Sequence, residues 1–277
     1  MRQLKLPSGN AMPVFGLGTW RMGEQHQHRQ AEVDVIRAAL DLGITLIDSA
    51  EMYGEGGAEE VIGEAIRGRR EGLFLVSKFY PHHASRTGVI EACERSLRRM
   101  DCDHINLYLL HWRGAIPLAQ TFEALRELQR DGRIRDFGVS NFDIDDLQAI
   151  PAADQARLGC NQVFYNLAHR EAEWEVAAWC RQRGTPLMAY SPLDQGGALL
   201  HSPVLAGVGA RHSASAAQIA LAWLLHQPDT VVIPKSANPR RIAENLAALD
   251  ISLSSEDLAE LDNAFAAPAR SVRLQMR

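Results

Sequence analysis

The chain has 277 residues, of which 46% are apolar, with 34 acidic and 29 basic side chains. This composition is typical of a folded globular protein and excludes disordered, collagen-like and disulfide-framework chains. The net charge of −5 argues against a surface for nucleic acid or anionic lipid, which would need clustered lysine and arginine. We therefore expect neither a nucleic-acid nor a membrane partner.

Apolar segments are short throughout the chain. The N-terminal residues Met1–Pro7 lack the apolar core of a signal peptide, and the run Ile219–Leu225 is too short to cross a bilayer. No C-x-x-C pair occurs among the four cysteines, which lie at positions 93, 102, 160 and 180. Such scattered thiols are typical of a reducing compartment, so a cytoplasmic location is expected.

Two histidine pairs are candidate metal ligands. His26 and His28 form one pair, and His82 and His83 form the other. Neither has an acidic residue or a cysteine at convincing ligand spacing. We therefore assign no metal.

Apolar runs recur along the chain, and each is followed by a segment with helical periodicity. The runs predicted to form strands are Val14–Gly16, Thr45–Ile47, Leu73–Val76, Ile105–Leu110, Phe137–Val139, Gln162–Phe164, Leu187–Ala189 and Val231–Ile233. The predicted helices are Ala31–Leu42, Ala58–Arg67, Gly88–Met100, Leu118–Arg130, Ile144–Ile150, Glu173–Arg183, Ala214–His226 and Pro239–Leu249. Near-continuous apolar runs are typical of parallel strands that are covered on both faces.

These strand–helix units predict a (β/α)8 TIM barrel that forms a single domain over residues 1–277. A doubly wound sheet is the alternative, but no G-x-G-x-x-G motif follows any predicted strand. Ahead of the barrel, Gln3–Leu6 and Met12–Pro13 flank a turn and predict a hairpin that closes the barrel floor. The segment Ser254–Phe265 predicts an additional C-terminal helix.

Polar residues that end apolar runs are candidates for the active site, which lies at the carboxyl ends of barrel strands. Asp48, Lys78 and His111 end three successive runs and should converge. Tyr53 follows Asp48 after a turn that Gly54 permits. Lys78 needs a specific explanation, since only three of the 29 basic residues are lysines.

These four side chains suit the reduction of a carbonyl group. Because a phenol with a pKa of about 10 donates protons slowly at neutral pH, we expect the Lys78 ammonium to lower the pKa of Tyr53 while Asp48 holds the lysine. His111 is expected to hydrogen-bond the substrate carbonyl. Protonation completes the reduction only if a hydride arrives as well, and no side chain can supply one. The residues therefore predict a reduced nicotinamide as cofactor.

Several further motifs accompany this set. They are Gly16–Trp20, Asp48–Gly54, Val76–Lys78, Leu109–Trp112, Gly138–Phe142, Tyr190–Leu193, Ile233–Ser236, Arg241-Ile242 and Glu244-Asn245. Together they make the chain resemble the aldo-keto reductase superfamily over essentially its full length. Within that family it is most similar to small bacterial reductases of the methylglyoxal-reducing kind, as the stretches Asp48–Tyr53 and Gly56–Glu59 indicate.

The resemblance implies a catalytic tetrad and an NADPH/NADP+ site. The tetrad consists of Asp48, Tyr53, Lys78 and His111. The implied cofactor contacts are Gly18, Thr19 and Trp20; Ser140, Asn141 and Gln162 at the nicotinamide carboxamide; Tyr190 stacked on its ring; Ser191 and Leu193 at the pyrophosphate; Lys235, Ser236, Asn238 and Arg241 at the 2′-phosphate; and Glu244 and Asn245 at the adenine. Relatives often carry arginine or threonine where this chain has Asn238, so one possible cation is absent.

The expected substrates are small reactive carbonyl compounds such as methylglyoxal, and the chain is expected to be a monomer. Trp20, Tyr53, His111 and Trp112 are the implied substrate contacts, and the rim segments Trp112–Ile116 and 266–277 are short. Two other functions remain open: a nucleotide-binding regulatory subunit on the same fold, and a Schiff-base aldolase that uses Lys78. NADPH oxidation with simple aldehydes and borohydride trapping on Lys78 would distinguish them.

Overall fold

A computed structural model describes all 277 residues. Its strands are β1 (Gln3–Lys5), β2 (Ala11–Pro13), β3 (Gly16–Gly18), β4 (Leu46–Asp48), β5 (Phe74–Phe79), β6 (Ile105–Leu110), β7 (Ile134–Ser140), β8 (Asn161–Phe164), β9 (Leu187–Tyr190) and β10 (Thr230–Val232). Its α-helices are α1 (Arg29–Asp41), α2 (Gly57–Ala65), α3 (Arg86–Met100), α4 (Leu118–Arg130), α5 (Ile144–Gln148), α6 (Ala152–Gln155), α7 (Val176–Gln182), α8 (Pro203–His212), α9 (Ala216–His226), α10 (Pro239–Leu246) and α11 (Ser255–Ala264). None of these helices is both long and apolar enough to span a membrane.

Strands β3 to β10 form one sheet in sequential order, and every neighbouring pair is parallel. The first and last strands also meet, because Phe15 and Val232 form a parallel bridge and the Gly18 amide donates to the Pro234 carbonyl at 3.1 Å. The sheet is therefore a closed barrel with helices outside it, which confirms the predicted (β/α)8 fold. Burial on both faces explains the continuous apolar runs, since all six residues of β5 are buried.

Two apolar cores hold the barrel together. The larger one, with 61 buried residues, lies between the sheet and the helices, so the helical layer provides most of the burial. The smaller one, with 11 buried residues, lies inside the barrel. It includes Leu6 and Met12 of the N-terminal hairpin, in which β1 and β2 pair antiparallel. The hairpin thus closes the barrel floor, as predicted.

The additional C-terminal helix is also present. It is α11, and the Ser254 hydroxyl caps its N-terminus by accepting from the Asp257 amide at 3.1 Å. The sequence pattern missed α8 and α6. Helix α8 contains Gly207 and Gly209, which weaken helix propensity and interrupt the apolar periodicity on which the prediction depends.

Candidate active site

The ends of three neighbouring strands bring the candidate catalytic side chains together. Asp48 ends β4, Lys78 lies near the end of β5, and His111 directly follows β6. The Lys78 ammonium lies 2.9 Å from the Asp48 carboxylate, donates to the Ser49 carbonyl at 2.7 Å and lies 3.4 Å from the Tyr53 hydroxyl. Asp48 and Lys78 are at most 2% exposed, so their geometry is fixed by the surrounding barrel.

Tyr53 reaches this rim through an unusual turn. Three successive residues, Gly54, Glu55 and Gly56, have positive φ angles of 57°, 53° and 95°. A Cβ atom at Gly54 would lie 2.8 Å from the Gly23 backbone, so the close approach of the two loops requires glycine there. The turn places the Tyr53 ring edge-on to the His111 ring, with 6.0 Å between the ring centroids.

Burial and charge act in opposite directions on the ion pair. Burial alone would lower the pKa of Lys78, but attraction to Asp48 and Tyr53 leaves that pKa raised. Burial raises the pKa of Asp48, an effect that the Lys78 ammonium and the Gln162 amide oppose. Lys78 is therefore an ammonium ion at neutral pH.

The pKa of Tyr53 moves in the direction opposite to our expectation. Burial raises it, and this effect outweighs the lowering by the Lys78 ammonium. The Lys78 ammonium therefore acts on the pKa in the expected direction, but the net pKa is raised, because desolvation of a phenolate cannot be read from sequence. The phenol keeps its proton, while Lys78 is placed to stabilise negative charge after that proton has left.

His111 is a neutral imidazole in this environment. Burial and the nearby Lys78 ammonium lower its pKa well below the usual value. Its Nδ1 atom is buried and has no hydrogen-bond partner within the protein. The ring also lies 4.9 Å from the Trp112 ring, between centroids. His111 is thus held by packing while its ring nitrogens remain uncommitted.

A chain of polar side chains continues from the tetrad across the ends of β7, β8 and β9. The Gln162 side-chain amide donates to the Asp48 carboxylate at 2.7 Å, and the Ser140 hydroxyl donates to the Gln162 main-chain carbonyl at 2.9 Å. The Asn141 side-chain amide donates to the Ser140 hydroxyl at 3.2 Å. The Tyr190 hydroxyl donates to the Asn141 side chain at 2.9 Å. These four residues form a continuous polar wall beside the tetrad.

Two of the predicted cofactor residues are unpaired cations on the segment that follows β10. Lys235 follows β10, and Arg241 lies in the first turn of α10; both are exposed and neither forms an ion pair. Asn238 caps α10 by accepting from the Arg240 amide at 2.9 Å, and Ser236 bonds to the Asn238 amide at 3.1 Å. Free cations beside a helix N-terminus form an environment that suits a phosphate group.

The other predicted cofactor residues lie around the same rim. Thr19 is fully buried and donates to the Asp48 carbonyl at 2.9 Å, whereas Trp20 is 36% exposed at the mouth. Ser191 has a positive φ of 47°, and its carbonyl accepts from the Asn166 amide at 3.0 Å. Among the remaining positions, Gly18 ends β3, Leu193 follows β9, and Glu244 and Asn245 lie on α10.

Comparison with known proteins identifies the family. The family model described as the aldo/keto reductase family matches residues 14–266. The chain belongs to this family. Methylglyoxal reductase YeaE from Escherichia coli (strain K12) is 45% identical over 273 residues, which cover 96% of this chain and 95% of that protein. Glyoxal reductase from Bacillus subtilis (strain 168) is 36% identical, with 94% and 91% covered.

A solved structure shows the same architecture. An aldo-keto reductase from Klebsiella pneumoniae, crystallised in complex with NADPH, is 46% identical and superposes with a TM-score of 0.94. The match covers 100% of this chain and 99% of that chain. The barrel and its loops are therefore shared along the whole length of this aldo/keto reductase.

The structure also places at the rim a residue that the sequence reasoning missed. The Arg277 guanidinium lies 2.7 Å from the Asp194 carboxylate and 5.0 Å from the centroid of the Phe164 ring. The Arg277 amide donates to the Tyr190 hydroxyl at 3.2 Å. No periodicity or motif marks this segment, so its contacts with Tyr190 and Asp194 could not be predicted from the sequence.

Proposed function

We propose that this protein is an NADPH-dependent reductase that converts small aldehydes and ketones, such as methylglyoxal, to alcohols. The observation that carries the proposal is the position of the Lys78 ammonium, 2.9 Å from Asp48 and 3.4 Å from the Tyr53 hydroxyl. The similarity to a methylglyoxal reductase and a glyoxal reductase supports the substrate class.

The residues along the cleft fit NADPH. Lys235 and Arg241 have no anionic partner in the protein and can hold the 2′-phosphate at the N-terminus of α10. Ser140, Asn141 and Gln162 can hold the nicotinamide carboxamide; the side-chain oxygen of Gln162 accepts no protein hydrogen bond. Tyr190 can support the ring. When bound, the reduced nicotinamide supplies the hydride that no side chain can provide.

The tetrad supplies the proton. The substrate carbonyl oxygen accepts hydrogen bonds from the Tyr53 hydroxyl and from neutral His111, which orient it. As negative charge develops on that oxygen, the Tyr53 O–H bond breaks and the proton passes to the oxygen, which becomes the alcohol. The resulting phenolate lies next to the Lys78 ammonium, and Asp48 holds that ammonium in place. A proton from solvent then restores the phenol.

The mouth of the site favours small substrates. Trp112 packs against His111, which in turn packs against Tyr53, and Trp20 follows the end of β3 on the same rim. The segment 266–277 crosses the rim next to Tyr190 and limits the open space above the site. We therefore expect a small dicarbonyl to be reduced with a higher kcat/KM than a steroid ketone.

A panel of carbonyl compounds, followed through NADPH absorbance, tests the proposal. We expect methylglyoxal and simple aldehydes to sustain NADPH oxidation, and Tyr53→Phe to abolish most of it. Binding of NADPH without any turnover would support the regulatory-subunit alternative instead. Borohydride trapping of a substrate on Lys78 would support the aldolase alternative.

A further inference from the structure

A buried carboxylate that the tetrad does not use lies between two tetrad residues. Glu51, on the loop between Asp48 and Tyr53, is only 4% exposed. Its Oε1 atom accepts from the Tyr80 amide at 2.8 Å and lies 2.8 Å from His83 Nδ1. Its Oε2 atom accepts from Arg95 at 3.3 Å.

These contacts connect the loop that carries Tyr53 to the strand that carries Lys78. The Glu51 amide donates to the Lys78 carbonyl at 3.0 Å, and its side chain binds the amide of Tyr80, two residues beyond Lys78. Arg95 extends the connection to α3. Glu51 therefore joins three separate segments at one point behind the catalytic rim.

The same carboxylate acts on the segment that carries His111. The Tyr80 ring, held by the bond from its own amide to Glu51, lies edge-on to the Trp112 ring with 6.0 Å between centroids. Trp112 directly follows His111, and the centroids of their two rings are 4.9 Å apart. A displacement of Glu51 would therefore displace Tyr53, Lys78 and His111 together.

The presence of a charged side chain at this buried position is informative. A buried carboxylate is unfavourable unless it is paired, and packed apolar residues often replace a buried ion pair without loss of stability. Arg95 and His83 supply the pairing: Arg95 donates to the carboxylate and also lies 3.2 Å from His83 Nδ1, and His83 donates to Glu51 in the tautomer that carries a proton on Nδ1. Stability alone therefore does not explain this network.

We propose that Glu51 is a positioning residue, which sets the distance from the Tyr53 hydroxyl to Lys78 and to the substrate oxygen. The inference rests on the proposed carbonyl reduction. Glu51 touches neither substrate nor cofactor, since its side-chain partners all belong to the segment 80–95. Its loss should lower the rate of the chemical step and leave binding unchanged.

Glu51→Gln is the first test, with Glu91→Gln on α3 as its matched control. Glutamine keeps the size of the side chain but turns one acceptor into an N–H donor that opposes Arg95. We expect kcat and the single-turnover rate of hydride transfer to fall about 10- to 100-fold, the scale of a small misplacement of reacting groups. The KM for methylglyoxal and the Kd for NADPH should change less than about twofold. Glu91 is exposed and its side chain makes no hydrogen bond or ion pair, so Glu91→Gln should match the wild type.

A second pair of variants keeps the test decisive if Glu51→Gln does not fold. In His83→Asn the side-chain amide can replace the Nδ1–H donor, whereas His83→Leu removes it. Asparagine should retain kcat within about threefold, and leucine should lower kcat with KM unchanged.

The outcomes separate this inference from the proposed function. Wild-type kcat in Glu51→Gln, or equal activities of the two His83 variants, would overturn the positioning role while the reductase proposal stands. A loss of NADPH binding that parallels the loss of kcat would show a merely structural role and would also overturn it. A wild-type protein that reduces no carbonyl compound would overturn both proposals.

Discussion

The two ends of the proposed cofactor site are built on opposite physical principles. At the tetrad, Asp48 and Lys78 are at most 2% exposed and are bonded to each other at 2.9 Å. At the corner formed by Lys235, Asn238 and Arg241, where we propose that the 2′-phosphate binds, Lys235 and Arg241 are exposed and have no anionic partner in the protein. One end is fixed before any ligand arrives, and the other holds its charges free for a ligand.

This difference predicts how each end responds to substitution. A preorganised site in a low-dielectric interior stabilises the transition state, so damage there lowers the rate of the chemical step. Exposed cations act through charge that solvent and salt screen, so damage there weakens binding by a smaller factor. The predictions below test this division, starting with the largest expected effect.

Tyr53→Phe should lower the single-turnover rate of hydride transfer by about 10²–10⁴, the usual scale for loss of a general acid. The Kd for NADPH should stay within about twofold of wild type, since the hydroxyl bonds only to Lys78.

Asp48→Asn keeps the acceptor for Gln162 but removes the charge that holds Lys78. The double variant should be little slower than Tyr53→Phe, because the residues act as one unit. Multiplying losses would show that the two act independently and would contradict the proposed proton donor.

Lys235→Met and Arg241→Met should each raise the Kd for NADPH about tenfold, since exposure reduces the strength of a phosphate ion pair. The Kd for NADH, which lacks the 2′-phosphate, should change little, and so should kcat at saturating NADPH. Fluorescence titration with both cofactors measures the effect. Equal dissociation constants of the wild type for NADPH and NADH would contradict a phosphate site at this corner.

The repeating fold was predictable because it depends on local patterns. Strand Ile105–Leu110 and helix Leu118–Arg130 have the predicted bounds, since each has a clear apolar periodicity. Strand β7 is longer than predicted, because Asp136 interrupts its apolar run. Asp136 is nevertheless buried, and it accepts from Asn10 of the distant hairpin at 2.8 Å. No local pattern can reveal a partner that lies 126 residues away.

For the candidate site, the sequence predicts which catalytic residues lie close together. Strand ends place Asp48, Lys78 and His111 on one rim, whatever the loops do. The pKa of Tyr53 was not predictable, since its direction depends on how far burial outweighs the ammonium. Glu51 was missed for a related reason. It lies inside a recognised motif, but its importance comes from contacts with Tyr80, His83 and Arg95, which lie on other segments.

The pH dependence of stability offers a finer test of the buried end. Burial and Lys78 lower the pKa of folded His111, whereas the unfolded chain has a value of about 6.5. As the pH falls below that value, the unfolded chain gains a proton that the folded protein does not. The free energy of unfolding should then decline by at most about 1.4 kcal/mol per pH unit from this residue. His111→Gln should weaken the dependence, measured by urea unfolding at about pH 7 and about pH 5. An unchanged dependence would place His111 in contact with solvent.

The smallest effect is expected at Asn238, where the exposed corner combines a structural role with a position beside the phosphate. Its side chain accepts from the Arg240 amide at 2.9 Å and so caps α10. Asn238→Arg adds a further cation beside Lys235, Arg240 and Arg241, and it should lower the Kd for NADPH a few-fold relative to NADH. Because arginine cannot cap the helix, the free energy of unfolding should fall by about 0.5–2 kcal/mol. Asn238→Ser is the matched control, since serine keeps the cap without adding charge. Its stability and its cofactor preference should both stay close to wild type. If Asn238→Arg leaves the ratio of the two dissociation constants unchanged, the 2′-phosphate does not lie at the N-terminus of α10, and the proposed orientation of NADPH is wrong.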